Sequence, residues 1–315
     1  MNILIKSVES DVIWDEIKDI QYLDDPNELV YDIGVSGNHT FALNSGVITH
    51  NTLNSVEWNT PILIKENNKL IKCKIGKYID DYIQDCDKSN REEHDNDTTL
   101  AYVKDRQLEI LSTDEDGNVG WKKIEAVTQH PPINEDGSNT LIKVITSGGR
   151  KVIATKAKSF LTMHNNKLVP TKGSNLKVGD YVPVNRKGFD VDIINENKIG
   201  NTAKDYDTGN ELGYQIANME KIFDISYLQS PNEFLKGLVD GYFDVKNLTT
   251  IIQNEKIEKI SVDKSILIDI QQVLLRLDDI YSIISTRYEK YVLTIDVAGS
   301  NVKDRIPEYT FNGKV

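Results

Sequence analysis

The chain has 315 residues, of which 39% are hydrophobic and 27% charged, the composition of a folded protein with room for two domains of about 150 residues each. It has no 18-residue apolar run that could cross a membrane as a helix, and its first residues lack a secretory pattern, so a cytosolic or nuclear location is expected. The formal net charge of -12 argues against a broad electrostatic grip on nucleic acid, which needs clustered Lys and Arg.

Residues 27 to 48, NELVYDIGVSGNHTFALNSGVI, form two short runs of partly alternating polarity. They are broken by Gly34, Gly37-Asn38 and Ser45-Gly46, which predicts strands joined by tight turns. PILIKENNKL from Pro61 predicts a strand, a polar turn at Asn67-Asn68 and a second strand, and CKIGKYIDDYIQDC spaces its apolar residues for a short helix. Cys73 and Cys86 lack metal-ligand spacing and are too few for a disulfide framework, so they are read as inert thiols in a reducing compartment. Residues 85 to 100 are polar and aperiodic, which predicts an exposed, mobile loop. Strand-like runs resume at LEILSTD, GWKKIEAVTQH, TLIKVITSGGRKVIAT and KLVPTKGSNLKVGDYVPV, making residues 1 to 186 a β-rich unit.

After Lys187 the spacing turns helical in NELGYQIANMEKIF, SPNEFLKGLVDGYFDV and DKSILIDIQQVLLRLDDI, and YEKYVLTIDVAG returns to strand. Ser230-Pro231 reads as a cap followed by a proline at the first helical position. A separate α+β domain is expected from about residue 190 to 310.

The chemistry concentrates around residue 51. An asparagine can attack its own carbonyl carbon through its side-chain nitrogen and cleave the chain as a succinimide, and the neighbouring His50 could protonate the leaving group. Thr52 places a hydroxyl just beyond that bond, and Ser55 places another where the next β run starts; both need activation to act as nucleophiles.

In combination these residues carry a resemblance. VYDIGVSGNHTFALNSGVITHN followed by threonine resembles the carboxyl-terminal splicing blocks of inteins, and SVEWNTPILI resembles their first block. TLIKVITSGGRKVIATKAKSFLT resembles the internal block that activates the upstream bond, and LKVGDYVPV the stretch after it. Serine first and threonine downstream are similar to inteins of family B DNA polymerases. The order is reversed, with the family's ending at residues 1 to 51 and its beginning at Ser55, so the resemblance implies a circularly permuted intein. Residues 1–51 and 55–187 would then make up one splicing domain of the Hint type, a horseshoe of bent antiparallel strands. Residues 52–54 would stand in for both flanking host segments.

Position by position, the resemblance implies that Ser55 performs an N-to-O acyl shift on the Asn54-Ser55 bond, Thr52 takes over the acyl group, and Asn51 cyclises with help from His50. His39 matches a proton shuttle, Asp32 a carboxylate coordinating the two ends, and Thr155 an oxyanion contact. The family's Thr-x-x-His reads here Thr155-Lys156-Ala157-Lys158, so Lys158 either donates to the scissile amide in place of histidine or is a plain solvated lysine. Splicing the ends of Thr52, Leu53 and Asn54 would make a strained cyclic tripeptide, so a persistent precursor mimic with slow cleavage is expected. The chain is expected to be a monomer acting on its own flanking residues, with no cofactor, metal, membrane or small-molecule substrate.

LKGLVDGYF, residues 235 to 243, resembles one LAGLIDADG helix of an intein homing endonuclease, with Asp240 at the sixth position and Tyr242 where an acid would bind the metal. A second copy is sought in ELGYQIANMEK, where Glu220 is the nearby acid. Residues 188–315 are therefore expected to be an endonuclease remnant without activity. The alternative is a homing endonuclease that cuts DNA at an intein insertion site.

Overall fold

The computed structural model describes residues 11–24, 29–37, 39–50, 55–104, 106–114, 116–134, 136–164, 167–191, 193, 198–199, 202–244, 249–253, 256–278, 280 and 282–296. The chain divides into two compact units, Met1–Asn185 and Arg186–Val315.

The first unit is mainly β, as the sequence led us to expect. Ahead of residue 51 lie β1 (Val12–Leu23), β2 (Val30–Val35), β3 (Thr40–Ala42) and β4 (Ile48–His50). After residue 54 come β5 (Val56–Glu57), β6 (Pro61–Glu66), β7 (Lys69–Lys74), helix α1 (Ile75–Asp85), β8 (Arg91–His94), β9 (Thr98–Tyr102) and β10 (Leu108–Thr113). The unit finishes with β11 (Val119–His130), β12 (Leu141–Thr146), β13 (Lys151–Thr155), β14 (Ser159–His164), β15 (Lys167–Lys172) and β16 (Tyr181–Asn185).

One large antiparallel sheet runs in the order β16-β1-β12-β13-β5-β2-β11-β10-β6-β7, with β9 also on β11 and β8 on β9. A smaller sheet has the order β15-β14-β4-β3. Strands from either side of residue 51 are shuffled together: β1 lies between β16 and β12, β2 between β5 and β11, and β4 beside β14. The 12-residue strands β1 and β11 serve two and three partners respectively, and each carries a register shift, at Ile17/Asp19 and Ile124/Ala126, that bends it from one neighbour to the next.

Apolar residues at alternate positions face the core, among them Ile17, Ile33, Val56, Ile62, Ile64, Ile110 and Ala154, all buried. Each large aliphatic side chain so buried contributes about 1.5–3 kcal/mol. Asp15 is buried with them, because every oxygen is used: it accepts from Thr146 Oγ1 at 2.7 Å, the Gly148 amide at 2.9 Å and Arg150 Nη1 at 3.1 Å. Arg150 Nε donates in turn to the Ser45 carbonyl at 3.0 Å, which fastens the β12–β13 turn to the segment ahead of residue 51.

The loop expected at 85 to 100 is instead largely a hairpin. Arg91–His94 pairs with Thr98–Tyr102 around Asn96 and Asp97, both in the left-handed region with φ of 58° and 54°. β8 forms the exposed outer edge, where polar side chains suit solvent, so its composition mimics that of a loop. α1 forms as predicted, burying Ile75, Ile79, Tyr82 and Ile83.

In the second unit a short hairpin, β17 (Lys198–Ile199) and β18 (Thr202–Ala203), precedes helices α2 (Tyr206–Ala217) and α3 (Asn232–Tyr242). Then come β19 (Thr250–Gln253), β20 (Lys256–Ser261), α4 (Lys264–Asp278), β21 (Ser282–Arg287) and β22 (Lys290–Asp296), the strands ordered β19-β20-β22-β21. Asp205 caps α2 by accepting from the Thr208 amide at 2.9 Å. α3 begins at Asn232 with Pro231 as its cap residue, one position later than the Ser230-Pro231 signal implied.

α2 and α3 pack backbone to backbone. A Cβ on Gly209 or Gly213 would overlap the carbonyl oxygens of Phe234 and Leu238, and one on Gly237 or Gly241 those of Tyr206 and Asn210. The two pairs of glycines, each one turn apart, are thus reciprocal. Glu220, the acid sought for the second copy, lies outside the helix pair: α2 ends at Ala217, and Glu220 is an exposed residue beyond its cap, Asn218. Tyr206 Oη donates to Asp240 Oδ2 at 2.6 Å across the pair, and burial pushes the Asp240 carboxyl up to about 6.

Two outcomes follow for this unit. Gly241→Ala should lower its stability by about 1–3 kcal/mol through overpacking, read as loss of helical circular dichroism at lower urea. Asp240 holds its proton more tightly folded than unfolded, so its contribution is complete below pH 3.8 and is lost as pH rises through about 6. The urea midpoint of that transition should fall across this window, and Asp240→Asn should flatten the dependence.

Candidate functional site

The site forms because a two-residue strand, β5, is wedged between β2 and β13. Val56 pairs with Tyr31 on one side and with Ala154 on the other, and Glu57 pairs with Val30. Extending that antiparallel register by one residue sets Ser55 opposite both Asp32 and Thr155, and the Thr155 amide donates to the Ser55 carbonyl at 2.9 Å. On the far side of β2, Asp32 pairs with Thr128 of β11. Cross-strand partners share a face of the sheet, so Thr155, Ser55, Asp32 and Thr128 form one transverse row.

All of this row is withdrawn from solvent to some degree. Ser55 is 0% exposed, Thr155 2% and Asp32 4%. The hydroxyls of Thr155 and Thr128 are buried and have no hydrogen-bond partner among the described residues. The Thr155 hydroxyl, next to Ser55 in the row, is placed to meet oxygen charge developing there, while Thr128 lies one strand further, beyond Asp32.

Lys158 is not a solvated lysine. It is fully buried, its backbone amide donates to the Thr155 carbonyl at 3.1 Å, and the Gly173 amide donates to its own carbonyl at 2.8 Å. This turn swings Nζ onto Asp32 Oδ1 at 2.8 Å, with the Phe41 ring 5.0 Å away on β3. Burial pulls its amine below the usual lysine range, and the Asp32 carboxylate works in the opposite direction.

One further side chain enters the site. His130 ends β11, two residues beyond Thr128 on the same face, and its Nε2 lies 2.7 Å from Ser55 Oγ. Its Nδ1 lies 2.7 Å from the Pro131 carbonyl. The sequence reading passed over His130, since the only local signal is a histidine ahead of Pro131-Pro132, where proline ends the strand.

His39 and His50 are brought together by the β3–β4 hairpin, in which Thr40 pairs with His50; their ring centroids are 6.4 Å apart. His39 adopts φ of 52°, the left-handed conformation that closes the turn before β3. β3 is anchored by Thr40 Oγ1, which lies 2.8 Å from Ser112 Oγ and from the Thr113 carbonyl. Asn51, Thr52, Leu53 and Asn54 lie outside the described residues. Five residue steps separate His50 from Ser55, so their Cα atoms are at most about 18 Å apart.

No family model matches the chain. It is 26% identical over 225 residues to transcription initiation factor IIB of Methanocaldococcus jannaschii, covering 70% of this chain and 30% of that protein. It is 35% identical over 132 residues to DNA-directed RNA polymerase subunit Rpo1C of the same organism, covering 41% of this chain and 14% of that one. The chain therefore spans less than a third of the length of these relatives. Among solved structures it is similar to the Mvu mini-intein of transcription factor IIB, with a TM-score of 0.35 at 23% identity, covering 41% of this chain and 78% of the other.

The Lys158–Asp32 pair should behave as a buried couple. Asp32→Ala or Lys158→Met alone strands one buried charge and should cost about 3–5 kcal/mol, whereas Asp32→Leu combined with Lys158→Met should cost less than either. Urea denaturation of the three variants measures this coupling.

Proposed function

We propose that the chain is a self-processing protein-splicing module in circularly permuted order, residues 1–51 and 55–187 forming its splicing domain. The observation that carries this reading is the transverse row: Ser55 lies buried beside Thr155, which the motif resemblance makes an oxyanion contact, and Asp32, which it makes the carboxylate coordinating the two ends, and five residues from His50. Ser55 Oγ attacks the Asn54 carbonyl, the carbon–nitrogen bond breaks, and an ester replaces the amide. The Thr155 hydroxyl supports the oxygen charge in between. Thr52 then accepts the acyl group, and Asn51 cyclises with His50 protonating the leaving nitrogen and His39 relaying protons. Lys158 serves in this reading by holding Asp32.

Because the acyl donor and acceptor belong to the same tripeptide, ring closure is opposed by strain, and the chain rests as a precursor that cleaves slowly at Asn51-Thr52 or Asn54-Ser55. Its partners are its own residues 52–54, and it works as a monomer in the cytosol or nucleus. The second unit is read as an inactive remnant of a LAGLIDADG endonuclease. In support, its paired helices carry the reciprocal glycine contact, while the eighth position is Tyr242, buried beneath Lys259 Nζ at 4.9 Å. Burial brings Lys259 down to about 8 and raises the Tyr242 phenol above its usual range.

Intact-mass spectrometry over days tests the reading. Asn51→Ala should abolish cleavage at 51/52 and spare the hydroxylamine-dependent cut at 54/55, and Ser55→Ala should do the reverse. Release of cyclic Thr-Leu-Asn in quantity, or cleavage indifferent to both substitutions, would count against it.

A further inference from the structure

We propose that His130 is the general base that activates Ser55 for the acyl shift, an inference that rests on the splicing reading above. A carbonyl oxygen only accepts hydrogen bonds, so the contact with Pro131 fixes the proton of the neutral ring on Nδ1. Nε2 is then left with a lone pair, and it faces Ser55 Oγ at 2.7 Å, so the hydroxyl donates to it. Nucleophile, base and orienting group stand in the order that hydroxyl activation requires.

The neighbouring groups do not fit this task. Lys158, while charged, has no lone pair, and its Nζ is committed to Asp32. Asp32 faces Ser55 along the row but carries that ammonium on Oδ1. Glu57 shares a face with His130 through Val30, to which both are paired, one residue row away from Ser55. Among the described residues, the charged groups that this strand pairing sets on the face of the imidazole are Asp32 from β2 and Glu57 from β5, with Lys158, from the turn after β13, held on Asp32.

The step balances without any added reactant. Nε2 takes the Oγ proton as Oγ bonds to the Asn54 carbonyl carbon. The imidazolium then returns that proton to the departing Ser55 nitrogen as the carbon–nitrogen bond breaks. The products are an ester at Oγ, a free amine on Ser55 and a neutral ring. Thr155 and Lys158, which the motif places at the first step, become oxyanion support and structural counter-ion respectively.

The test uses the full chain and follows hydroxylamine-dependent cleavage at 54/55 from pH 5 to pH 9. In the wild-type chain the rate should fall on the acid side, where imidazole becomes charged. His130→Gln should slow that cut by about 10²-fold or more and flatten the acid limb, a change that a purely structural role would not produce. Cleavage at 51/52 in the same sample reports whether the scaffold is intact. If His130→Gln fails to fold, ¹⁵N chemical shifts of labelled histidine in the wild-type chain decide instead: the Nδ1–H tautomer supports the assignment and the Nε2–H tautomer overturns it. A His130→Gln rate equal to wild type with its acid limb retained also overturns it, leaving the splicing reading in place. Absence of any hydroxylamine-dependent cut in the wild-type chain defeats both.

Discussion

The pairing of β5 is the constraint on which the first unit depends. A strand of two residues contributes little on its own, yet it is flanked on both sides, and its register decides which side chains meet Ser55. A slip of one residue would turn Ser55 away from Asp32 and send Val56, now fully buried, to the wrong face. The hydrophobic effect therefore fixes the chemistry: Val56 in the core obliges its neighbour to take its place in the row. His130 and Thr128 arrive by the same logic, since β11 is locked to β2 over residues 126 to 130.

Two buried ion pairs reinforce that arrangement, and both connect the segment ahead of residue 51 with the segment behind it. Asp15–Arg150 secures the turn between β12 and β13, while Asp32–Lys158 secures the turn after β13. Removing two charges from water costs as much as their attraction returns, so neither pair is a large source of stability. What they do is penalise every alternative. A chain that seats β13 wrongly leaves a carboxylate and a cation buried without partners, an error worth several kcal/mol.

Much of the β architecture was legible because strand signals are local: alternation, glycine turns and the Asn67-Asn68 reversal are all written in adjacent residues. α1 was legible for the same reason. The β8–β9 hairpin was not, because an exposed edge strand is as polar as a loop. Within the site, Ser55, Thr155, Asp32 and Lys158 were named from motif position, and the fold places them side by side. The surroundings of Lys158 were hidden, since its partner lies 126 residues away in the chain. His130 was hidden for a related reason: nothing near it in sequence says that β11 lies beside β2, which in turn pairs with the strand that follows Ser55. In the second unit, the helix expected in LKGLVDGYF forms, with Gly237 and Gly241 at its contact with α2. The contact itself was not legible in ELGYQIANMEK, because that stretch holds Gly213 but not Gly209, one turn earlier, which also lies against the α3 backbone.

If Ser55 is the first nucleophile, as proposed, its chemistry explains why a base should be found here at all. A thiol near neutral pH is already a few per cent thiolate, so a cysteine in this position could begin the reaction with orientation alone. An alkyl hydroxyl has essentially no ionised fraction at that pH, and burial makes the alkoxide less accessible still. A chain that begins its chemistry with serine must therefore remove the proton as the bond forms, through a group already in hydrogen-bond contact. In the proposed reading, the position where the resembled motif has its histidine holds Lys158, which is occupied as the counter-ion of Asp32. The imidazole instead comes from the end of β11, where Pro131 stops the strand, keeps His130 extended and offers the carbonyl that orients its ring. In that reading the requirement, a lone pair within 3 Å of the hydroxyl, is met from β11, and the turn after β13 carries the charge that holds Asp32.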